Sequence, residues 1–343
     1  MRIRELELPG LMRLAPMANI SNAPFRLITR ECGSAFSTTE EIDAMALVRG
    51  NPKALHIASS YPGEHPLAMQ LLGADAGTLV PAAEMLAERG AEVIDLNMGC
   101  PVRKIVSAGK GAALMRDIPR TARLLRAMRA AIRVPFTVKI RGGWDDEHLN
   151  AVDVARMAED EGVDAITVHP RTRSQQFSGK APWDIIRDVV EAVRIPVTGN
   201  GDVRSLKDAR AMQASTGCAA VMVGRGALGR PWIFDEAYAC LPACEQRTYQ
   251  TRVIQRHIAL IKEHCTEHPK AVMIQMKNHL AWYTEGIGES SAMRDRIVRC
   301  HDVDGIEAIF WECWGQATDN VEQSARSGDD ERTVSEAARP ARV

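Results

Sequence analysis

Between Phe136 and Gly224 the sequence reads FTVKI (Phe136–Ile140), AITVH (Ala165–His169), VTGN (Val197–Asn200) and AAVMVG (Ala219–Gly224), four short β-rich runs separated by longer stretches of helical period. That alternation is the pattern of parallel strands joined by helical crossovers. Toward the N-terminus the same pattern adds Met12–Met17, Ala35–Thr39, Leu67–Leu72 and Glu92–Asn97, which brings the candidates to eight. Eight strands running one way predict a closed TIM (β/α)8 barrel of the α/β class. The competing doubly wound sheet usually binds a dinucleotide through a G-x-G-x-x-G turn after its first strand. Here the first strand runs into Ala15-Pro16-Met17-Ala18, with no such turn.

Outward from the barrel, the strand signals stop after Pro231-Trp232 and the pattern becomes helical, with Ile254, Ile258, Ile261, Ile274 and Leu280 on the expected buried faces. The chain therefore divides into a barrel domain over 1–238 and a small C-terminal helical-bundle domain over 239–320. Residues 321–343 are polar and nearly free of large apolar side chains, and are expected to be a disordered tail because they bury too little surface to offset the entropy of ordering. Of the 343 residues, 45% are hydrophobic and 25% charged, the balance of a globular protein with a full core, which excludes a fibrous or disordered chain. The first residues lack the apolar core of a signal peptide and no apolar run approaches the ~18 residues of a membrane helix. The expectation is a cytoplasmic protein without membrane attachment.

The eight cysteines include no C-x-x-C pair, and Cys240 and Cys244 in ACLPAC have no second ligand pair, so reduced thiols and no metal are expected. With 43 basic and 44 acidic residues the net charge is -1, which gives no bulk attraction to nucleic acid; an RNA ligand would need a local basic surface.

Barrel enzymes place their chemistry at the C-terminal ends of the strands. Those ends carry Gln70, Asn97 with Gly99-Cys100-Pro101 just beyond, Lys139 and Arg141, His169, Asn200-Gly201-Asp202, and Gly224-Arg225-Gly226. Glycines after the seventh and eighth strands let backbone N–H groups approach a phosphate, and Arg225 adds a forked charge, so a phosphorylated cofactor is implied rather than two unrelated tight turns. Lys139 ends an apolar strand and needs an anionic partner in the mouth. The negative N1 and C2 carbonyl edge of a reduced flavin would serve, and a Schiff-base lysine of aldolase type stays open as an alternative. Cys100 sits on a sharp turn facing the mouth, where a thiol of ordinary pKa ~8.5, lowered somewhat by Lys104, is suited to give a proton; a small buried hydrophobe is the competing role. His169 in VHPRTR has no second ligand at metal spacing, which favours phosphate or flavin contact.

APMA, DLNMGCPVRKIVSAGKGAALM, VKIRGGW, VHPRTR, NGDV and GRGALGRPW together resemble the tRNA-dihydrouridine synthases, most closely the bacterial B type, over about Leu11 to Glu307. The resemblance implies FMN, with Pro16, Met17 and Ala18 lining the flavin, Gln70 and Lys139 bonding its ring and His169 nearby. It implies Asn200, Gly201, Asp202, Gly224 and Arg225 at the ribityl chain and phosphate, Cys100 as proton donor, Asn97 toward the uracil, and Arg141 and Arg171 near the substrate. NADPH, or NADH, would reduce the flavin. Hydride would then pass from N5 to C6 of a D-loop uridine in tRNA and a proton from Cys100 to C5, position 17 being the leading target. No obligate protein partner is expected. A flavin-dependent reductase of a small free pyrimidine or related enone is the alternative, but it leaves unexplained the helical MKNHLAWY motif (Met276–Tyr283) and the arginines Arg294, Arg296 and Arg299. Three positions depart from the family pattern: Asn278 stands where a cation is expected, Glu41 where an apolar residue is, and Phe177 where tyrosine is frequent.

Overall fold

The computed structural model describes residues 1–264, 269–285 and 290–315; the expected tail lies outside the described residues. Two compact units emerge from the contacts, one of Met1–Ala227 with Pro231–Ala239, the other of Leu228–Arg230 with the chain from Cys240 onward.

The first unit opens with a hairpin of β1 (Arg2–Ile3) and β2 (Leu6–Glu7), followed by nine strands: β3 (Met12–Leu14), β4 (Ser37–Thr38), β5 (Ile42–Asp43), β6 (Leu67–Leu72), β7 (Val93–Met98), β8 (Phe136–Arg141), β9 (Ala165–His169), β10 (Val197–Asn200) and β11 (Ala220–Val223). The parallel order β4-β6-β7-β8-β9-β10-β11-β3 bends round until its ends nearly meet, with β5 pairing further along β6. No ladder joins β3 to β4; the gap is spanned by Ala35 N–H donating to Met12 O (2.9 Å) and Leu14 N–H to Ser34 Oγ (3.1 Å). This is the expected eight-position parallel barrel. The hairpin was not foreseen, because two-residue strands carry no readable period. It plugs the N-terminal end of the barrel, where Ile3 and Leu8 pack with Phe36, Ala68, Val93 and Ala165.

Alternation along each strand decides what lies inside. In β8, Phe136, Val138 and Ile140 face the helices, which leaves Thr137, Lys139 and Arg141 facing inward. The same parity turns Asp95 and Asn97, Thr167 and His169, Thr198 and Asn200 into the barrel. The lower interior is consequently polar, with Arg13, Thr38, Asp95, Thr137, Thr167 and Thr198 sharing one space. Asp95 accepts from Gln70 Nε2 (2.7 Å) and from the Thr137 hydroxyl, and burial raises its carboxyl to about 6. Burial likewise lowers Arg13 to about 10.

The first crossover helix, Ala23–Glu31, starts where Asn22 Oδ1 accepts from Phe25 N–H and Pro24, having no N–H, needs no acceptor. Its Arg26 is buried against Glu64 (2.8 Å) and also donates to Ser21 O (2.9 Å), tying this helix to the loop before β6.

The second unit consists of helices over Ala243–His264, Pro269–Tyr283, Ser290–Arg299 and 303–315. Its core includes Ile254, Ile258, Ile261, Met276, Leu280, Ile297, Ile306 and Phe310. Ile274 does not belong to it and is 53% exposed. The apolar period of Ala243–His264 does not continue in Pro269–Tyr283, which instead buries Val272, Met276 and Leu280 at four-residue spacing. His279 and Tyr283 are buried too, and Tyr283 Oη lies 2.9 Å from His257 Nδ1, so half of MKNHLAWY is core; Asn278 faces solvent. No helix of the described residues is long and apolar enough to cross a membrane.

Candidate active site

The strand ends of the first unit build a polar mouth. Lys139 stands beside Asn97 in the β7–β8 register and donates to Asn200 Oδ1 (3.3 Å), whose Nδ2 donates to Met222 O (2.7 Å). Burial and the neighbouring Arg141 push Lys139 down to about 8, against the opposing pull of Asp95. The ammonium is thus a titrating group in the mouth, held by neutral Asn200 rather than by a salt bridge among the described residues.

Cys100 is presented by a turn that Asn97 organises. Asn97 Oδ1 accepts from both Gly99 N–H (3.0 Å) and Cys100 N–H (2.8 Å), so the strand's last polar residue caps the turn that follows it. The 3-10 turn Gly111–Arg116 closes over it, with Ala112 N–H donating to Cys100 O (3.1 Å). Gly111 has φ +60 and a Cβ there would stand 2.7 Å from Cys100 O, which gives the GxGAALM pattern its physical reason. The half-buried Cys100 sulfur lies 3.9 Å from Glu41 Oε1. Burial and the Glu41 charge raise the thiol to about 11, the opposite of the lowering expected from Lys104; the cation that does oppose the rise is Arg141.

His169 sits at the end of β9 with Lys139, Arg141, Arg171 and Arg225 around it; burial first, then these four cations, lower it to about 2. It is a neutral ring, its proton disfavoured first by burial and then by the surrounding cations. Arg141 is locked by the carbonyls of Gly99 (2.7 Å), Thr172 (3.0 Å) and Gln176 (2.8 Å), and Arg171 by Ser178 O (3.0 Å), Gly179 O (2.6 Å) and both oxygens of Asp202 (2.8 Å). Asp202, held below its ordinary value by the Ala181 N–H and Arg171 despite partial burial, is therefore an organiser of its own loop. Phe177, 53% exposed, carries the guanidinium of Arg225 over its ring at 4.8 Å and that of Arg141 at 5.6 Å.

The loops after β10 and β11 pack backbone to backbone. A Cβ on Gly226 would stand 2.1 Å from Val203 O, so this glycine is required for loop packing, whereas Gly224 has only ordinary neighbours at 3.7 Å. Pro16 and Met17 follow β3 half-buried, with Ala18 exposed, and Gln70 bridges Asn97 Nδ2 (3.0 Å) to Asp95. The polar strand-end residues named from the sequence thus gather at one end of the barrel. The chemistry of the set fits a flavin mononucleotide: an apolar segment for the ring, a lysine for an anionic ring edge, and an excess of cations for a phosphate dianion. Among the described residues no cluster of His, Cys, Asp or Glu has a metal-holding arrangement.

Two features were missed in the sequence. Trp144 lies between the guanidiniums of Arg116 (4.5 Å from the ring centre) and Arg173 (4.9 Å), contributed by three different strand-end loops. Only the glycines before Trp144 hinted at a built loop. The second is the polar floor of Arg13, Asp95 and Thr137, whose signal was polar residues alternating inside apolar strands.

Residues 13–318 match the sequence profile of the family described as Dihydrouridine synthase (Dus). The chain is 37% identical over 331 residues to a probable tRNA-dihydrouridine synthase of Mycobacterium tuberculosis, covering 90% of this chain and 84% of that one. It is 36% identical over 301 residues to tRNA-dihydrouridine synthase B of Xanthomonas axonopodis pv. citri, covering 86% and 90%. Among solved structures it is similar in fold to histamine dehydrogenase from Rhizobium sp. 4-9, with a TM-score of 0.52 at 12% identity, over 78% of this chain and 50% of that longer one.

Proposed function

Since this chain belongs to the dihydrouridine synthase family, we propose that it is a tRNA-dihydrouridine synthase that uses FMN, and NADPH or NADH as reductant, to reduce the C5=C6 bond of a D-loop uridine. The observation that carries this reading is a thiol set beside a cationic barrel mouth: Cys100 on the turn that Asn97 caps after β7, one strand away from Lys139.

FMN, once reduced, supplies the hydride that adds to C6 of uracil. Lys139, Gln70 and His169 would hold the flavin ring, with Pro16, Met17 and Ala18 offering it an apolar surface. Asn200, Gly201, Asp202, Gly224 and Arg225 would hold the ribityl chain and phosphate. Cys100 gives its proton to C5, and sulfur is suited to this because a thiol held at about 11 is almost wholly protonated at neutral pH. Asn97 fixes the turn that aims the sulfur and lies where a uracil edge would be met; Arg141 and Arg171 brace the loops above it. The target base has to leave its stack to reach this mouth.

The barrel, residues 1–238, is the catalytic part and residues 239–320 the tRNA-binding part in this reading, acting in the cytoplasm where tRNA is found. Purified protein is expected to be yellow with a flavin band that heat releases as FMN; colourless protein that cannot be loaded with FMN would remove the cofactor. The helix Ser290–Arg299 presents Arg294, Arg296 and Arg299 on its exposed side, with Arg296 already paired to Glu312 at 2.7 Å. Replacing all three by alanine is expected to weaken tRNA binding about tenfold and to reduce the slope of log Kd against log salt by about two. An unchanged slope would move the RNA grip elsewhere, and turnover of free uracil or uridine as fast as of tRNA would favour a small-pyrimidine reductase.

A further inference from the structure

Glu41 precedes β5 on the segment Thr38–Asp43 that runs along the rim of the mouth. Of the three carboxylates there, Glu40 turns to the Asn19 backbone N–H, and Asp43 caps the next helix and is ion-paired with Lys110. Glu41 alone turns to the proton donor. Its Oε2 accepts from Asn97 Nδ2 (2.9 Å), and its Oε1 faces Cys100 Sγ at 3.9 Å. Asn97 is the same residue whose Oδ1 receives the Cys100 and Gly99 backbone N–H groups, so one side chain links carboxylate and sulfur through the turn itself.

The charges facing this pair decide what it does. Arg141 and Lys139 lie on the Cys100 side, and cations next to a cysteine ordinarily favour the thiolate, which cannot donate a proton. On the Glu41 side, burial first, with Glu40 and Asp43 behind it, raises the Glu41 carboxyl above its ordinary value, while the contact with Cys100 holds it down. We propose that Glu41 is the positioning residue of Cys100: it anchors the cysteine turn through Asn97 and supplies the negative charge that keeps the sulfur protonated inside an otherwise cationic mouth. This inference rests on the reading of Cys100 as proton donor. The raised Cys100 value agrees with it, burial contributing most and Glu41 next.

The test uses the purified flavin-loaded protein, labelled with iodoacetamide from about pH 7 to about pH 11, with Cys100 modification followed by peptide mass spectrometry. Glu41→Gln, which keeps shape and hydrogen bonding but not charge, is expected to move Cys100 ionisation about one pH unit lower, so that labelling near pH 8 becomes roughly tenfold faster. Glu41→Asp keeps the charge and is expected to stay close to wild type. The alkaline limb of dihydrouridine formation should move down by the same unit in Glu41→Gln, a displacement that a purely structural role would not produce. Glu41→Met gives the same comparison if the glutamine variant does not accumulate. Coinciding labelling curves for wild type and the uncharged variants would overturn the proposal, even if wild type makes dihydrouridine. Separated curves in a protein that makes no dihydrouridine would instead sustain the Glu41–Cys100 coupling and sink the tRNA reading.

Discussion

Replacing Cys100 by alanine is expected to lower dihydrouridine formation by about 10²–10⁴-fold, the usual contribution of a positioned general acid, while FMN stays bound and NADPH oxidation continues. The separation follows from where the sulfur sits. Cys100 is held from its backbone, by Asn97 Oδ1 and by the Ala112 N–H on its carbonyl, and alanine keeps both. The side chain itself touches Glu41, so its loss removes a proton source and a weak contact but leaves the mouth's cations in place. Stopped-flow spectroscopy of flavin bleaching by NADPH, followed by reoxidation with tRNA, reads the two half-reactions separately. Equal loss in both would make the cysteine structural. Serine in its place is expected to recover little, because a hydroxyl is a far weaker acid than the thiol.

The barrel was legible because its signal is periodic. FTVKIR alternates side chains in and out, and once Phe136, Val138 and Ile140 are assigned to the helices, Lys139 and Arg141 can only face the interior. The candidate site was legible for the same reason: a polar residue at the end of a mostly apolar strand has one place to go. What escaped reading depends on pairs far apart in the chain. Nothing local to Glu41 indicates Cys100, 59 positions away, and nothing local to Arg26 indicates Glu64. The Cys100 shift runs opposite to the lowering expected from Lys104, near in sequence, because burial, and after it Glu41, near in space, sets its direction. Ile274 failed for a different reason, since successive helices need not keep a common phase. Gly226 was read as room for a phosphate, yet its close neighbour is the Val203 carbonyl of the adjacent loop.

Arg171→Leu is expected to weaken FMN binding by roughly thirtyfold to a hundredfold, about 2–3 kcal/mol. The guanidinium is 2% exposed and joins three pieces of chain: its own loop after β9, the Ser178–Gly179 segment, and Asp202 on the loop after β10. Breaking a buried ion pair by removing one partner costs about 3–5 kcal/mol when the orphaned charge stays buried. Asp202 is 35% exposed, so water can take over part of the guanidinium's place and the lower figure applies. Most of the loss should appear in cofactor affinity, because the loop released is the Asn200-Gly201-Asp202 turn. Gly201 has φ +120, and a side chain there would stand 2.9 Å from Ala181, whose N–H is bound by Asp202; the turn holds its shape only while both loops are pinned together. Arg171→Lys is expected to recover only part of the affinity, since one ammonium cannot span two carbonyls and a carboxylate with the geometry of a planar fork. Titration of apoprotein with FMN by fluorescence quenching measures the effect directly. Wild-type affinity in Arg171→Leu would mean that the β9 and β10 loops hold the cofactor independently, and would return Arg171 to the substrate side of the mouth.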